Sequence, residues 1–540
     1  MCGIWTYINL NNKKLDYNKL FSNFMNLQMR GPDFTNFQIF NNILIGFHRL
    51  AIMDLTFNSN QPYLFEENDK TIIFICNGEI YNFKELAHEH NITIINNSDC
   101  MIIPKLYLKY GDKFNNYVNS IKGEFAFVLF ELDNFKNLVK IIACRDEIGI
   151  RPLYYNYHND HIVFSSEIKG INNITNQINE FEPGTLFTIN INNLNNIDYS
   201  KSKYDFKQIY YQQPRENYDY IKNIRNAVIN SIKRRLMSDK PIVFLLSGGI
   251  DSSIVCAVAS KILNYPIKTF CCGMETGTDF KYAKQVANHI GSLHTEVIFT
   301  PKEGLKAIDD VIYTTETWDT TTIRASVGQY LVCKYISNNT DAKVILVGEG
   351  PDEVCSSYLF NYYAPDDGFK LHEVAKKYVR NIHMYDGRRA DRCISNFGLE
   401  GRIPLLDPEF IKAYWEIPFN LRHPKYNNME KWYLRKAFED ILPANIVWRK
   451  KEAFSDGVSN SQQGKSWFQI IQNHIDEKIN FQATPSKEAY YYKEKFIEYF
   501  GEENVDVLSS GYWTPYWNEK GKVEEYVDPS ARTLNIYNDI

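Results

Sequence analysis

The chain has 540 residues, 44% of them hydrophobic, and a formal net charge of −5. That length suits roughly two to four domains with large cores, and the acidic balance, with no Lys/Arg run interleaved with aromatics, excludes nucleic acid and acidic membrane surfaces as favoured partners. No apolar stretch approaches ~18 residues, and the start Met1-Cys2-Gly3-Ile4-Trp5 lacks the charged-then-apolar layout of a signal peptide, so a cytoplasmic protein acting on small molecules is expected. The ten cysteines form no C-x-x-C pair, which favours reduced thiols, and vicinal Cys271 and Cys272 are expected in a buried strand.

Cys2 follows the initiator Met directly, and a small second residue permits removal of that Met. The thiol then belongs to residue one, whose α-amino group, with a pKa of about 7.7–8.0, can take its proton near neutral pH. Short β-like runs follow at 4–8, 43–47, 71–76, 125–130, 140–144 and 162–165, with helical spacing at 17–29 and 101–110. Strands outnumber helices and the links are short, as in an α+β layered domain with antiparallel pairing. Between the runs lie Arg30-Gly31-Pro32-Asp33, His48-Arg49-Leu50, Asn77-Gly78-Glu79-Ile80-Tyr81-Asn82 and Arg145-Asp146 with Gly149 and Arg151 beyond. Asn77-Gly78 reads either as a hairpin turn or as a side-chain amide and an N–H able to hold the oxyanion of a tetrahedral intermediate. His88 and His90 are metal-type residues on what reads as a solvated face.

The stretch 190–214 is polar and weakly periodic, as in an inter-domain connection, with the boundary placed near residue 205. After it, apolar runs and amphipathic segments alternate: a strand at 242–246, a helix at 252–263, a strand at 267–272 and a helix from Asp279. This βαβα order implies a parallel sheet covered by helices, with its ligand site beyond the carboxyl ends of the strands. The first strand runs into Ser247-Gly248-Gly249-Ile250-Asp251-Ser252, where glycines let the backbone approach a ligand and a helix start offers free N–H groups to an anion. No lysine follows the glycines, so this is not the G-x-x-x-x-G-K-S/T loop of γ-phosphate chemistry. A second strand end, 344–347, enters Gly348-Glu349-Gly350-Pro351-Asp352-Glu353. Three carboxylates on one turn call for a cation, either magnesium or a substrate ammonium.

From Cys2 through the Ser-Gly-Gly-x-Asp-Ser loop to Asp528-Pro529-Ser530-Ala531-Arg532, the motifs resemble an N-terminal-nucleophile glutamine amidotransferase domain joined to the synthetase half of the glutamine-hydrolysing asparagine synthetase family. The resemblance implies a four-layer αββα glutaminase domain over 2–205 and, over 206–540, an α/β domain with a parallel sheet and a helical C-terminal region. It implies that Cys2 attacks glutamine's side-chain amide, that Asn77 and Gly78 form the oxyanion hole, and that Arg49, Leu50, Ala51, Ile52, Met53, Glu79 and Asp99 hold the rest of that substrate. It further implies ATP and Mg²⁺, with Ser247, Gly248, Gly249, Asp251 and Ser252 on pyrophosphate, Asp251 and Asp352 on the metal, and Leu245, Cys272, Val347 and Gly348 around the nucleoside. Glu349 and Lys451 are the matched catalytic positions, and Thr321, Thr322, Arg324, Asp386 and Arg389 the matched aspartate positions. Two residues depart from the family pattern: Met101 stands where Glu is usual, and Pro351 stands in place of Ser at a helix start, where proline is tolerated. By resemblance the chain pairs as a symmetric homodimer. The residues leave open a sister ligase acting on another carboxylate, and a nucleotide-binding regulator, against which intact Cys2, Asp251, Glu349 and Lys451 argue.

Overall fold

The structure, a computed structural model, describes residues 1–11, 13–67, 69–158, 160–193, 196–203, 213–216, 218–450, 457–459, 465–508 and 511–530. The first half contributes β1 (Gly3–Asn9), β2 (Phe34–Phe40), β3 (Ile43–Arg49), β4 (Tyr63–Glu67), β5 (Lys70–Ile80), β6 (Gly123–Leu132), β7 (Leu138–Arg145), β8 (Tyr154–Tyr157), β9 (His161–Ser165), β10 (Asn179–Glu180), β11 (Thr185–Asn193) and β12 (Asn196–Lys203). They pair as two six-stranded antiparallel sheets, ordered β10-β8-β9-β1-β3-β2 and β12-β11-β7-β6-β5-β4.

Alternation along each strand builds the layers. On β1, Ile4 and Ile8 join Ile73, Ile75, Val128 and Phe130 between the sheets, while Trp5 and Tyr7 pack on the opposite face with Leu20 and Phe24 of α1 (Tyr17–Met25). On the far sheet, α2 (Phe83–Glu89) and α3 (Ile102–Tyr110) set Leu86, Ile103 and Leu106 against Phe74 and Phe127. Helix, sheet, sheet, helix is the four-layer order expected. The helix expected at 17–29 stops at Met25, and a separate 3₁₀ turn, Gln28–Arg30, follows.

One expectation is corrected here. The polar stretch from residue 190 is not all connection, because β11 and β12 form a hairpin at the sheet edge, Thr185 opposite Lys203. An edge strand facing solvent can be polar on both sides, which hides it from a search for apolar runs. The boundary at 205 itself lies outside the described residues.

The second half holds α4 (Tyr220–Arg235), β13 (Ile242–Leu245), α5 (Ile250–Leu263), β14 (Lys268–Gly273), α6 (Asp279–Ile290), β15 (Leu293–Ile298), α7 (Thr320–Asn339), β16 (Val344–Leu346), α8 (Asp386–Ser395), β17 (Glu400–Arg402) and α9 (Lys487–Phe500). Its sheet is parallel throughout, in the order β15-β14-β13-β16-β17. The chain steps outward from β13 to β15, then returns to lay β16 on the other side of β13. That reversal opens a crevice beyond the ends of β13 and β16, where such sheets bind ligands. Cys271 and Cys272 lie buried in β14 as expected.

Charge, rather than apolar surface alone, joins the halves. Arg30 meets Glu167 at 2.5 Å and Asp391 at 2.8 Å, and Glu124 receives both Arg151 and Arg235 at 2.9 and 2.7 Å. All of these side chains are buried, a setting in which breaking one partner costs several kcal/mol.

Candidate active sites

In the first half Cys2 stands at the head of β1, its Sγ 3.8 Å from the Leu50 carbonyl. With Met1 in place, burial pushes the Cys2 thiol up to about 11 and the Met1 amine down to about 5. Asn77 and Gly78 are not a turn: both lie inside β5, opposite Ala126 and Phe125. A Cβ on Gly78 would sit 2.4 Å from the Glu124 carbonyl, so the close pass of β6 requires glycine there. Both amide atoms of Asn77 are buried and have no hydrogen-bond partner among the described residues. An orphaned amide in a core is costly unless something else uses it.

Glu79 and Asp99 flank the same strand end. Glu79 is buried 3.5 Å from Arg402, and burial pushes its carboxyl up. Asp99 accepts the Ile80 N–H at 2.5 Å, and burial raises its carboxyl to about 6. Leu50 and Ile52 are buried, Met53 is half-buried, and Ala51 donates its N–H to Asp33. Arg49 differs from expectation. Its guanidinium donates to the carbonyls of Met53, Asp54 and Thr56 and to Asn60 Oδ1, so it pins the loop after β3. Met101 is buried among Phe74, Ile103 and Phe127 and acts as core. His90 is also structural, its ring 3.0 Å from the Tyr110 hydroxyl.

In the second half Gly249 caps α5 with no side-chain hydrogen bond, leaving the first N–H groups to a ligand. Gly248 has φ +78°, and a Cβ there would sit 2.5 Å from the backbone of Tyr282 and Ala283. Ser247 and Ser252 close the loop, their hydroxyls 3.2 Å apart. A Cβ on Gly348 would lie 2.7 Å from the Ser252 nitrogen, so the two loops touch through backbone. Pro351 takes the first turn of the helix Pro351–Val354, as its fixed φ allows.

A cavity of about 230 Å³ occupies the crevice. Leu245, Ser247, Gly249, Asp251, Ser252, Cys272, Thr321, Gly348, Glu349, Asp352, Asp386 and Arg389 line it. Gly248 and Val347 support it without facing it. Burial pushes the Glu349 carboxyl up, opposed by Arg389, whose Nη2 lies 3.4 Å away. Asp319 caps α7 by accepting the Thr322 N–H, and Thr322 stays out of the cavity. Arg324 is also withheld: its guanidinium donates to both carboxylate oxygens of Glu488 and of Asp528. Lys451 lies outside the described residues, though Arg449 and Lys450 line the cavity.

No motif marks Lys431. Its ammonium sits 2.5 Å from Asp251 and 2.6 Å from Asp352, bridging the two carboxylates assigned to a metal. It arrives from 180 residues downstream in a loop rich in Asn, with only a Glu430-Lys431 pair to mark it. Arg30 was visible in a motif but carried no role. Its Nε donates to the Cys2 carbonyl at 2.9 Å while its other nitrogens hold Asp391 and Ser395 of α8.

Family models match both halves: a glutamine amidotransferase domain over residues 1–234, and asparagine synthase over 223–377 and 363–519. The glutamine-hydrolysing asparagine synthetases of Bos taurus and Homo sapiens are each 36% identical over 581 aligned positions, covering 99% of this chain and 99% of theirs. The chain belongs to the glutamine-hydrolysing asparagine synthetase family. A probable asparagine synthetase of Acanthamoeba polyphaga mimivirus is 34% identical over 99% of this chain and 100% of its own length. Membership in the asparagine synthetase family accords with a thiol site on an αββα sandwich and an anion loop at the switch point of a parallel sheet, carried on one chain. Among the described residues no helix is long and apolar enough to cross a membrane.

Proposed function

We propose that this enzyme makes L-asparagine from L-aspartate, splitting ATP to AMP and pyrophosphate and drawing ammonia from L-glutamine. The observation that carries the reading is the pairing, through α8, of a site with an orphaned Asn77 amide and a site with a lysine-free Ser-Gly-Gly anion loop. The division of labour falls at residue 205, with 2–205 as glutaminase and 206–540 as synthetase.

In the first half Cys2, freed of Met1, attacks the glutamine amide with its own amine as base. The Asn77 amide and Gly78 N–H take the developing oxyanion. Glu79 and Asp99 bind the substrate ammonium, and Arg49 exchanges part of its hold on the loop carbonyls for the substrate carboxylate, with Leu50, Ala51, Ile52 and Met53 around it. Ammonia is protonated in neutral water and then is no nucleophile, so it crosses between the halves sheltered from solvent.

In the second half Ser247, Gly248, Gly249 and Ser252 receive the pyrophosphate end of ATP, and Leu245, Cys272, Val347 and Gly348 form the nucleoside side. The aspartate carboxylate attacks the α-phosphate, giving β-aspartyl-AMP, and ammonia displaces AMP. Glu349 stands beside that intermediate, Thr321, Asp386 and Arg389 hold aspartate, and the role of neutralising the leaving group is assigned to Lys451. Thr322 and Arg324 shape the pocket from behind. The donor set of Asp251 and Asp352 fits Mg²⁺, since two carboxylates already converge on one cationic centre and hard oxygens are what the ion takes. Bound there, the ion would neutralise charge on the phosphates. We place the protein in the cytoplasm as a homodimer.

The test is purified protein with ATP, Mg²⁺, aspartate and glutamine, following asparagine, AMP and pyrophosphate. ADP as product refutes adenylation, and AMP without asparagine favours a sister ligase.

A further inference from the structure

A second cavity, of about 690 Å³, lies on the seam between the halves and has no part in either reaction described above. One wall is the end of β5 and α2, with Tyr81, Asn82, Glu85 and Glu89, and the other is α4, with Lys233 and Arg234. Its size is that of a small-molecule site. Glu85 and Glu89 lie four residues apart on α2, hence on one face, where like charges repel. Glu89 also stands at the end of its helix, where the dipole disfavours an acid. All three charged side chains, Glu85, Glu89 and Lys233, are solvent-exposed at the cavity mouth, and none makes an ion pair among the described residues. Arg234, by contrast, is committed to Asp407 and Glu409 at 2.9 and 3.0 Å, and Lys122 to Glu409 at 2.6 Å. The free charges are thus two acids on one half and one base on the other.

We infer that this cavity is a regulatory site for a small zwitterion of the α-amino-acid class, its ammonium between Glu85 and Glu89 and its carboxylate on Lys233. A cation between the two acids removes their mutual repulsion, and the carboxylate gives Lys233 the partner it lacks. Such a ligand bridges the halves and bears on the glutamine site through a short path. The guanidinium groups of Arg235 and Arg402 lie 5.0 and 5.7 Å from the centre of the Tyr81 ring, and Arg402 reaches Glu79 at 3.5 Å. Tyr81 follows Glu79 by two residues, just past the end of β5, and the Asn82 side chain holds the Ser120 carbonyl and the Lys122 N–H at 2.8 Å each. Filling the cavity therefore stiffens the strand end that presents Glu79.

The test uses the full chain with Cys2 alkylated, so that the thiol pocket is closed. Labelled L-asparagine and, separately, labelled L-glutamate are titrated by equilibrium dialysis into the parent, Lys233→Glu, Glu89→Lys and the double variant carrying both changes. Each single charge reversal is expected to weaken one equivalent of binding at least about tenfold, and the double variant, whose charges are exchanged across the cavity, to regain part of it. Whichever amino acid shows this pattern names the ligand. Equal binding in parent and single variants for both amino acids overturns the site, and loss in the singles without recovery in the double variant overturns the zwitterion assignment.

Discussion

Replacing Lys431 by Met keeps the length of the side chain and removes its charge from between Asp251 and Asp352. The two carboxylate oxygens lie 2.5 and 2.6 Å from the same ammonium, hence no more than about 5 Å from one another. At an effective dielectric constant near 20 their repulsion is about 3 kcal/mol, equivalent to raising one carboxyl pKa by about 2 units. A carboxyl raised in the folded state above its unfolded value of about 3.9 gives its full relative stability below that value and loses it as pH climbs through about 6. The variant should therefore fall furthest behind the parent above pH 6 and recover towards pH 4–5. The penalty corresponds to several degrees of melting temperature for a half of this size. Millimolar Mg²⁺ should return part of the loss at pH 8, because a divalent ion replaces the missing cation, and hydrolysis of glutamine should be unaffected. Thermal melts at pH 5 and pH 8, with and without Mg²⁺, measure all of this. A variant that melts with the parent at both pH values, or that ignores Mg²⁺, refutes the argument that these carboxylates form one cation site.

Cys2→Ala should abolish asparagine formation from glutamine and leave synthesis from added ammonia intact; loss of both activities would mean that the two sites do not divide the labour. Asn77→Ala should lower glutamine hydrolysis about 10²–10³-fold in kcat with little change in KM, as removal of an oxyanion donor does, and an effect on KM alone would make Asn77 a binding residue. Burial holds the Asp99 carboxyl up at about 6, and only its ionised form attracts an ammonium. The glutamine KM should thus rise as pH falls through 6, and in Asp99→Asn that dependence should vanish. Arg324→Gln should lower the melting temperature by several degrees, since it strands Glu488 and Asp528; a raised aspartate KM with an unchanged melt would instead put Arg324 in contact with substrate.

The layers of both halves were legible because β1, β3, β5 and β6 are short, nearly continuous apolar runs and α5 and α6 carry apolar side chains at helical spacing. β2 and the β11–β12 hairpin escaped notice because one or both of their faces meet solvent, and Asn36, Gln38 and Asn190 satisfy such a face as well as any loop. Glycines announced the anion loop because Gly248 and Gly348 have no room for a Cβ. Lys431 could not be read in advance: its meaning lies in two carboxylates that the fold brings to it, and adjacent sequence says nothing of them. Arg324 shows the opposite failure. An arginine beside two threonines fits a substrate carboxylate, but the chain's own Glu488 and Asp528 satisfy the same chemistry.

The ten residues of α8 have a bearing on how freely such enzymes can be rearranged. One end carries Asp386 and Arg389 to the nucleotide cavity, and Asp391 and Ser395 hold the arginine that holds the Cys2 carbonyl. A chimera that took its first half from one relative and its second from another would mismatch this helix with its arginine, even with both sets of reacting residues intact. The two halves are therefore not interchangeable modules, and substitutions at 30, 167, 391 and 392 should be inherited together.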